Sequence, residues 1–472
     1  MSSTSAPSNW FGQPRGLTIL FLTNMWETFS YYGMRALLVY YMTKQLLISQ
    51  QHSSFIYGTY TAFAYFTPII GGAIADRYLG KRRAVIIGAA TMAAGHFMMA
   101  FGSLFYVALA TIALGNGLFL PSLPSQINDL YAADDPRRSW AYNVYYVGVN
   151  VGGFLAPLVC GTLGETFGWH YGFGAAGVGM LAGLLIYVAG SRYLPAQTAL
   201  GETAPVESEG SATGGWRDTA ILLLAVGLAV TVFRGAYEQV GNTVALWIEG
   251  ADRHLGTAEI PMTWFQSLNP LLVIVLTPFL LARWRREAEA GREHSPLRKM
   301  AIGALVVGGA YALLAVASIV SPGGAHWLWI AVFFVVLTLG ELYILPTGLG
   351  LFARLAPPRL GATTVAAWYL AIFTGSLSAG YIGSWYSSLQ APTFFIMLTA
   401  VASIAAGILL ALDKRARAVE TARTDRQARA AVSNELPWPP DTRAGPGANS
   451  HNQRRDRKGS DRPSNASKGR SQ

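Results

Sequence analysis

The chain has 472 residues, of which 52% are hydrophobic and only 13% charged, whereas roughly a quarter of the residues in a soluble domain are charged. Its formal net charge is +10. This balance excludes an ordinary soluble enzyme or binding domain and describes a membrane protein.

Residues 1–16 are polar and precede an apolar run too long for the core of a signal peptide, so they are expected as a cytoplasmic N-terminus. Apolar runs of about 20 residues, enough to cross roughly 30 Å of hydrocarbon, lie near 17–43, 54–75, 84–104, 106–126, 140–162 and 170–190. The stretch LPAQTALGETAPVESEGSATGG is small, polar and without apolar periodicity, which predicts a cytoplasmic linker over 194–216. A second series follows near 218–248, 262–283, 299–320, 326–349, 361–385 and 392–412. The predicted fold is an all-α membrane protein of twelve spans, one six-helix bundle over 17–193 and another over 217–412. Residues 413–472, rich in Arg, Pro, Ser, Gly and Asn, are expected as a disordered basic cytoplasmic tail.

Lys81, Arg82, Arg83, Arg137, Arg138, Arg283, Arg285, Arg286, Arg354 and Arg359 fall in loops on the side of the termini, and the opposite loops are nearly uncharged. Positive loops stay inside, so both termini are expected in the cytoplasm of a multi-pass cell-membrane protein, with the bacterial inner membrane as its setting. A basic tail beside a bilayer finds anionic headgroups first, which makes lipid, and not nucleic acid, its expected partner. The single cysteine, Cys160, excludes an intrachain disulfide and is expected to be buried and inert.

A charge at the centre of a membrane helix costs roughly 2.5–3.5 kcal/mol, so those present are expected to face protein or a watery cavity. On the first helix Glu27, Tyr31 and Arg35 stand at i, i+4 and i+8, with Asn24 and Thr28 beside the same stripe. On the seventh, VFRGAYEQVGN places Arg234 one turn before Glu238. They form either a static pair that neutralises itself or part of a central cavity, where repeat-built transporters bring corresponding helices together. The tenth span carries a lone acid, Glu341, whose partner is a protein cation, a proton or a cationic group on a solute. Tyr146 and Asn150 stand one turn apart on the fifth, beside Gly148 and Gly152, as interhelical glue or as ligand contacts. His96 and His170 lack a second ligand at metal spacing and are read as packing residues. With no metal spacing, nucleophile motif or phosphate-cradling loop, no enzyme, metal or cofactor is expected.

The blocks WETFSYYGMRALL, YFTPIIGGAIADRYLG, GNGLFLPSLPSQINDLY, GVNVGGFLAPLVCGTLGETFGWHYGFGAAGVGM, EQVGN, IPMTWFQSLNPL and GELYILPTGLGL occur in order. Over about residues 17–412 the chain resembles the proton-dependent oligopeptide transporter family of the major facilitator superfamily. The resemblance implies a monomer that takes up di- or tripeptides with protons. It implies Glu27 as the proton-linked acid and Arg35 with Glu238 as an extracellular gate. Glu341 would meet the peptide amine, and Tyr32, Tyr65, Tyr146, Asn150 and Asn269 would line the pocket. Many bacterial members carry two extra helices between the halves, for which this linker leaves no room.

Four positions depart from the family's pattern. Asn24 and Thr28 stand where its first helix has an acid and an arginine, Leu120 replaces a lysine, and Arg234 replaces a tryptophan. Arg234 can take over a substrate carboxylate, because a guanidinium offers a bidentate fork. Two other readings remain: a divergent member moving another amphipathic or anionic metabolite with weak or no proton coupling, and a non-transporting membrane sensor.

Overall fold

Apolar runs punctuated by glycine, proline and serine become a succession of helices in the structure, a computed structural model that describes residues 8–9, 12–131, 135, 137–195, 216–355 and 361–435. Helix α1, Arg15–Tyr40, runs into a π-helical turn at Tyr41–Gln45. Ser49, whose hydroxyl accepts the His52 N–H, caps α2, Gln50–Ile74. A second π turn, Ala75–Leu79, leads to α3, Lys81–Met98, and then α4 spans Phe105–Asp129. Gly80, at φ 76°, makes the turn before α3.

Helix α5, Arg137–Ala156, continues through a π turn at Pro157–Gly161 into α6, Thr162–Phe167, and α7 follows at Trp169–Gly190. Helix α8, Trp216–Tyr237, tightens into a 3-10 turn at Glu238–Gly241 before α9, Thr243–Glu249. A 3-10 turn at Met262–Ser267 opens α10, Leu268–Glu289. Helices α11, Pro296–Val320, α12, Trp327–Leu355, α13, Gly361–Ser384, and α14, Ala391–Glu435, complete the order. Two short antiparallel hairpins pair Ser8–Asn9 with Gln13–Pro14 and His254–Leu255 with Ala258–Glu259.

Among the described residues, eight segments are long and apolar enough to cross a membrane. They are built on α4, α5 with α6, α7, α8 with α9, α10, α11, α12 and α14. The runs at 17–43, 54–75, 84–104 and 361–385 fall on α1, α2, α3 and α13, which are not among these eight. Asn24, Glu27, Thr28 and Arg35 interrupt α1, and Lys81, Arg82 and Arg83 open α3.

Within residues 12–195, α1 packs on α5 and α7, α3 on α4 and α7, and α2 on α4. Within 216–421, α11 packs on α12, α8 on α13 and α10 on α12. The two series meet where α2 lies along α13 and α5 along α10. Gly58 and Gly380 make the first seam possible, since a Cβ at 58 would stand 2.5 Å from the Gly380 Cα. Cys160 is fully buried, with its sulfur against Gly33 of α1.

Hydrogen bonds fasten the two series together at the end of the helices away from Arg15. The Glu165 carboxylate of α6 accepts from the Met262 and Thr263 N–H groups at 3.0 and 2.9 Å and from the Thr263 hydroxyl at 2.5 Å. The Trp264 indole donates to Thr162 at 2.8 Å, Ser54 donates to Asn242 at 3.0 Å, and Gln50 donates to the Gly383 carbonyl at 2.9 Å. Lys44 pairs with Glu249 at 3.0 Å. At the other end, bonds such as Lys81 to Asp129 and Arg82 to the Pro195 carbonyl stay within one series.

The segment after 412 differs from expectation, because α14 continues to Glu435. Asp413 contacts Ser295 and Arg417, and the Arg- and Ala-rich sequence beyond it favours helix without needing an apolar face. The chain divides into two compact units, Met1–Thr421 and Ala422–Gln472, and the described part of the second is the end of α14. Residues 436–472 of the expected tail, and 196–215 of the expected linker, lie outside the described residues.

Candidate substrate site

Where α8 gives way to its 3-10 turn, Glu238 is buried with its side chain 1% exposed. Arg35 of α1 donates to it through Nη2 at 2.6 Å, and Arg234, one turn earlier on α8, contacts the same carboxylate. Arg35 Nε also donates to the Tyr57 hydroxyl at 2.7 Å, and Arg234 Nη2 donates to the Tyr65 hydroxyl at 3.1 Å. Aromatic faces complete the surround: Arg35 lies 5.9 Å from the Tyr32 ring centre, and Arg234 lies 5.1 and 5.2 Å from those of Tyr65 and Tyr237. Two guanidiniums share one carboxylate, so the cluster keeps an excess positive charge. Of the two arrangements open for Arg234 and Glu238, the one-turn pair is present, and Arg35 joins it at the same acid.

The negative pole lies on α12. Glu341, half-buried, accepts from Asn269 Nδ2 at 2.6 Å, and that amide also reaches the Thr338 hydroxyl at 3.1 Å. The Tyr237 hydroxyl is close enough to Glu341 to interact with it electrostatically. No cation pairs with Glu341 within 4.0 Å among the described residues, yet it interacts electrostatically with Arg234 and Arg35, and with Tyr32 and Tyr146. A positive patch and an acid thus face one group of tyrosines, an arrangement complementary to a short zwitterion.

Glu27 is set apart. It is buried on α1, and its hydrogen-bond partner is the Thr28 hydroxyl at 3.3 Å, with Tyr60 and Tyr145 close enough to interact electrostatically. Asn24, one turn before, accepts from the Tyr145 hydroxyl at 2.7 Å. Of the pair on α5, Tyr146 is 48% exposed, while buried Asn150 donates to the Tyr146 carbonyl of its own helix at 2.9 Å. Leu120 is half-buried on α4. His96 is fully buried on α3, and His170 packs at a tilt against Tyr171 at the start of α7.

Sequence reasoning missed Tyr57, Tyr237, Thr338 and Glu165. Tyrosines recur throughout these helices, so those that touch a charge do not stand out. Glu165 has backbone N–H groups as partners, and such partners leave no pattern of side chains to find.

The chain matches the POT family over residues 82–207 and 217–397. It is similar to the peptide transporter YePEPT of Yersinia enterocolitica, at 31% identity over 87% of this chain and 96% of that protein. The di-/tripeptide transporter of Lactococcus lactis is 29% identical over 86% of this chain and 96% of its own length. Among solved structures, a peptide transporter POT in complex with sulfate has a TM-score of 0.81 at 29% identity, covering 88% of this chain and 98% of that one.

Proposed function

Because the chain belongs to the POT family, we propose that it is a secondary active transporter that takes up di- or tripeptides with protons, by alternating access. In this reading twelve helices cross the membrane as two six-helix bundles of the major facilitator fold, over 17–193 and 217–412, joined by a linker at 194–216. The termini are cytoplasmic, the protein works as a monomer, and the end closed by Glu165, Trp264 and Lys44 faces outward.

The observation that carries the reading is the buried two-signed site. Arg35 and Arg234 stand at one pole and Glu341, held by Asn269, at the other. A peptide carboxylate fits the first pole and its amine the second, with Tyr32, Tyr65, Tyr146 and Asn150 around the chain between them. Arg35 and Glu238 form the outer gate, since each sits on a different half and each charge is costly unless paired. Glu27, whose carboxylate is bonded among the described residues by the Thr28 hydroxyl alone, is the group best suited to take and release a proton.

The test is uptake of labelled dialanine into proteoliposomes with and without an inward proton gradient. Accumulation above equilibrium only with the gradient is expected, with unlabelled di- and tripeptides competing. Absence of any peptide uptake by correctly inserted protein would overturn the reading. One feature favours a second reading, a divergent member that moves another amphipathic or anionic metabolite with weak proton coupling. Thr28 and Leu120 remove two cations from the first half while Arg234 adds one to the other. Uptake indifferent to the gradient would select it.

A further inference from the structure

We propose that Arg234 keeps Glu238 ionised when the outer gate opens, so that opening takes up no proton at this carboxylate. The proposal rests on the gating role given above to Arg35 and Glu238. Arg35 belongs to α1 and must withdraw with the first half when the outer ends separate. Arg234 cannot withdraw, because it stands one turn before Glu238 on the same stretch of helix and contacts its carboxylate.

Its place is held from its own half as well. The Tyr237 ring covers its guanidinium, and Gly375 of α13 lies against its Cβ and Cγ, so the side chain has little room to turn away. Among the described residues, the other titratable groups that interact electrostatically with Glu238 are hydroxyls: Tyr57 from α2, Tyr31 from α1, and Tyr311 from α11, which donates to the Ala236 carbonyl at 2.6 Å. Helix α13 brings Gly375, Ser378 and Ile382 to this stretch of α8, none of which titrates. Among the acids, Glu341 interacts with Tyr237, which covers Arg234. A buried carboxylate stripped of its last cation is driven to take a proton, and one that keeps a guanidinium in contact is not. Loss of Arg35 alone therefore leaves Glu238 paired.

The full chain in lipid nanodiscs provides the test, with no solute added. Spin labels at Leu47→Cys and Leu255→Cys, 81% and 61% exposed on opposite halves of the outer end, report the open fraction as a distance distribution. Three backgrounds are compared between about pH 5 and pH 8: the parent, Arg234→Gln and Arg234→Lys. If the gate of Arg234→Gln must take up one proton to open, its open fraction gains up to about tenfold per pH unit of acidification relative to the parent. Arg234→Lys, which keeps a cation, should follow the parent. Should Arg234→Gln fail to insert, Arg234→Met enters the same comparison.

Identical pH profiles for the parent and the neutral variant overturn the proposal, and so does Arg234→Lys behaving like Arg234→Gln. A label pair that opens in none of the backgrounds removes the gate itself and the proposal with it. Failure of dialanine uptake alone removes the peptide reading and leaves these distance measurements decisive for Arg234.

Discussion

Glu238 is the point at which the buried charges converge, and removing it should do more harm than removing either partner. Glu238→Gln leaves two buried guanidiniums facing each other without an anion, at a cost of about 3–5 kcal/mol. Arg35→Gln leaves Glu238 still in contact with Arg234 and should cost clearly less. Thermal unfolding in detergent compares the two, and equal shifts would contradict the shared carboxylate. Glu341→Gln should weaken binding of dialanine by on the order of 1.5–3 kcal/mol, the worth of a charged hydrogen bond, yet leave N-acetyl-dialanine unaffected. Equal losses for both ligands would remove Glu341 from amine recognition. Glu27→Gln should lose accumulation driven by the proton gradient and retain counterflow exchange, and unchanged uphill uptake would take Glu27 out of the coupling. The meeting of Arg35 with Glu238 is legible in the sequence because two buried charges on corresponding helices need each other. The sharing of Glu238 by Arg234 is legible only as one of two alternatives, since spacing gives proximity and not the choice of partner. Tyr57 and Tyr237 are illegible, because a hydroxyl that bonds a charge has the same sequence context as one that packs.

At the scale of elements, the apolar runs mark where helices lie, and the polar interruptions mark those turned toward other helices. Helix α1 shows the limit of apolarity as a guide, since the residues that make it useful, Asn24, Glu27, Thr28 and Arg35, also lower its hydropathy. Helix α14 shows the converse, since residues 413–435 carry no apolar run and are helical through propensity. The seam of α2 and α13 gives this scale its prediction. A side chain at Gly58 would meet the Gly380 backbone, so Gly58→Leu should push the outer ends apart and raise the open fraction reported by labels at 47 and 255. An unchanged distance distribution would mean that the seam yields elsewhere. The sequence offers no hint of this contact, because the two glycines lie more than three hundred residues apart in a chain that holds 51.

At the scale of the whole molecule, one end is fastened across the halves by side chains from α2, α6, α9 and the turn before α10, and alternating access requires that these release together. They are bonds of moderate strength, several made by neutral groups, so no single one need hold the closed state alone. Cys160 lies within the turn into α6, yet its sulfur lies against Gly33 of α1, within the same half. Movement of one half against the other leaves that contact intact. The consequence concerns oxidation: the chain holds a single thiol, fully buried in this structure, so an oxidant or reductant finds no exposed sulfhydryl to act upon. Transport should be indifferent to the redox state of both compartments, and maleimide or diamide applied to the working protein should leave its rate untouched.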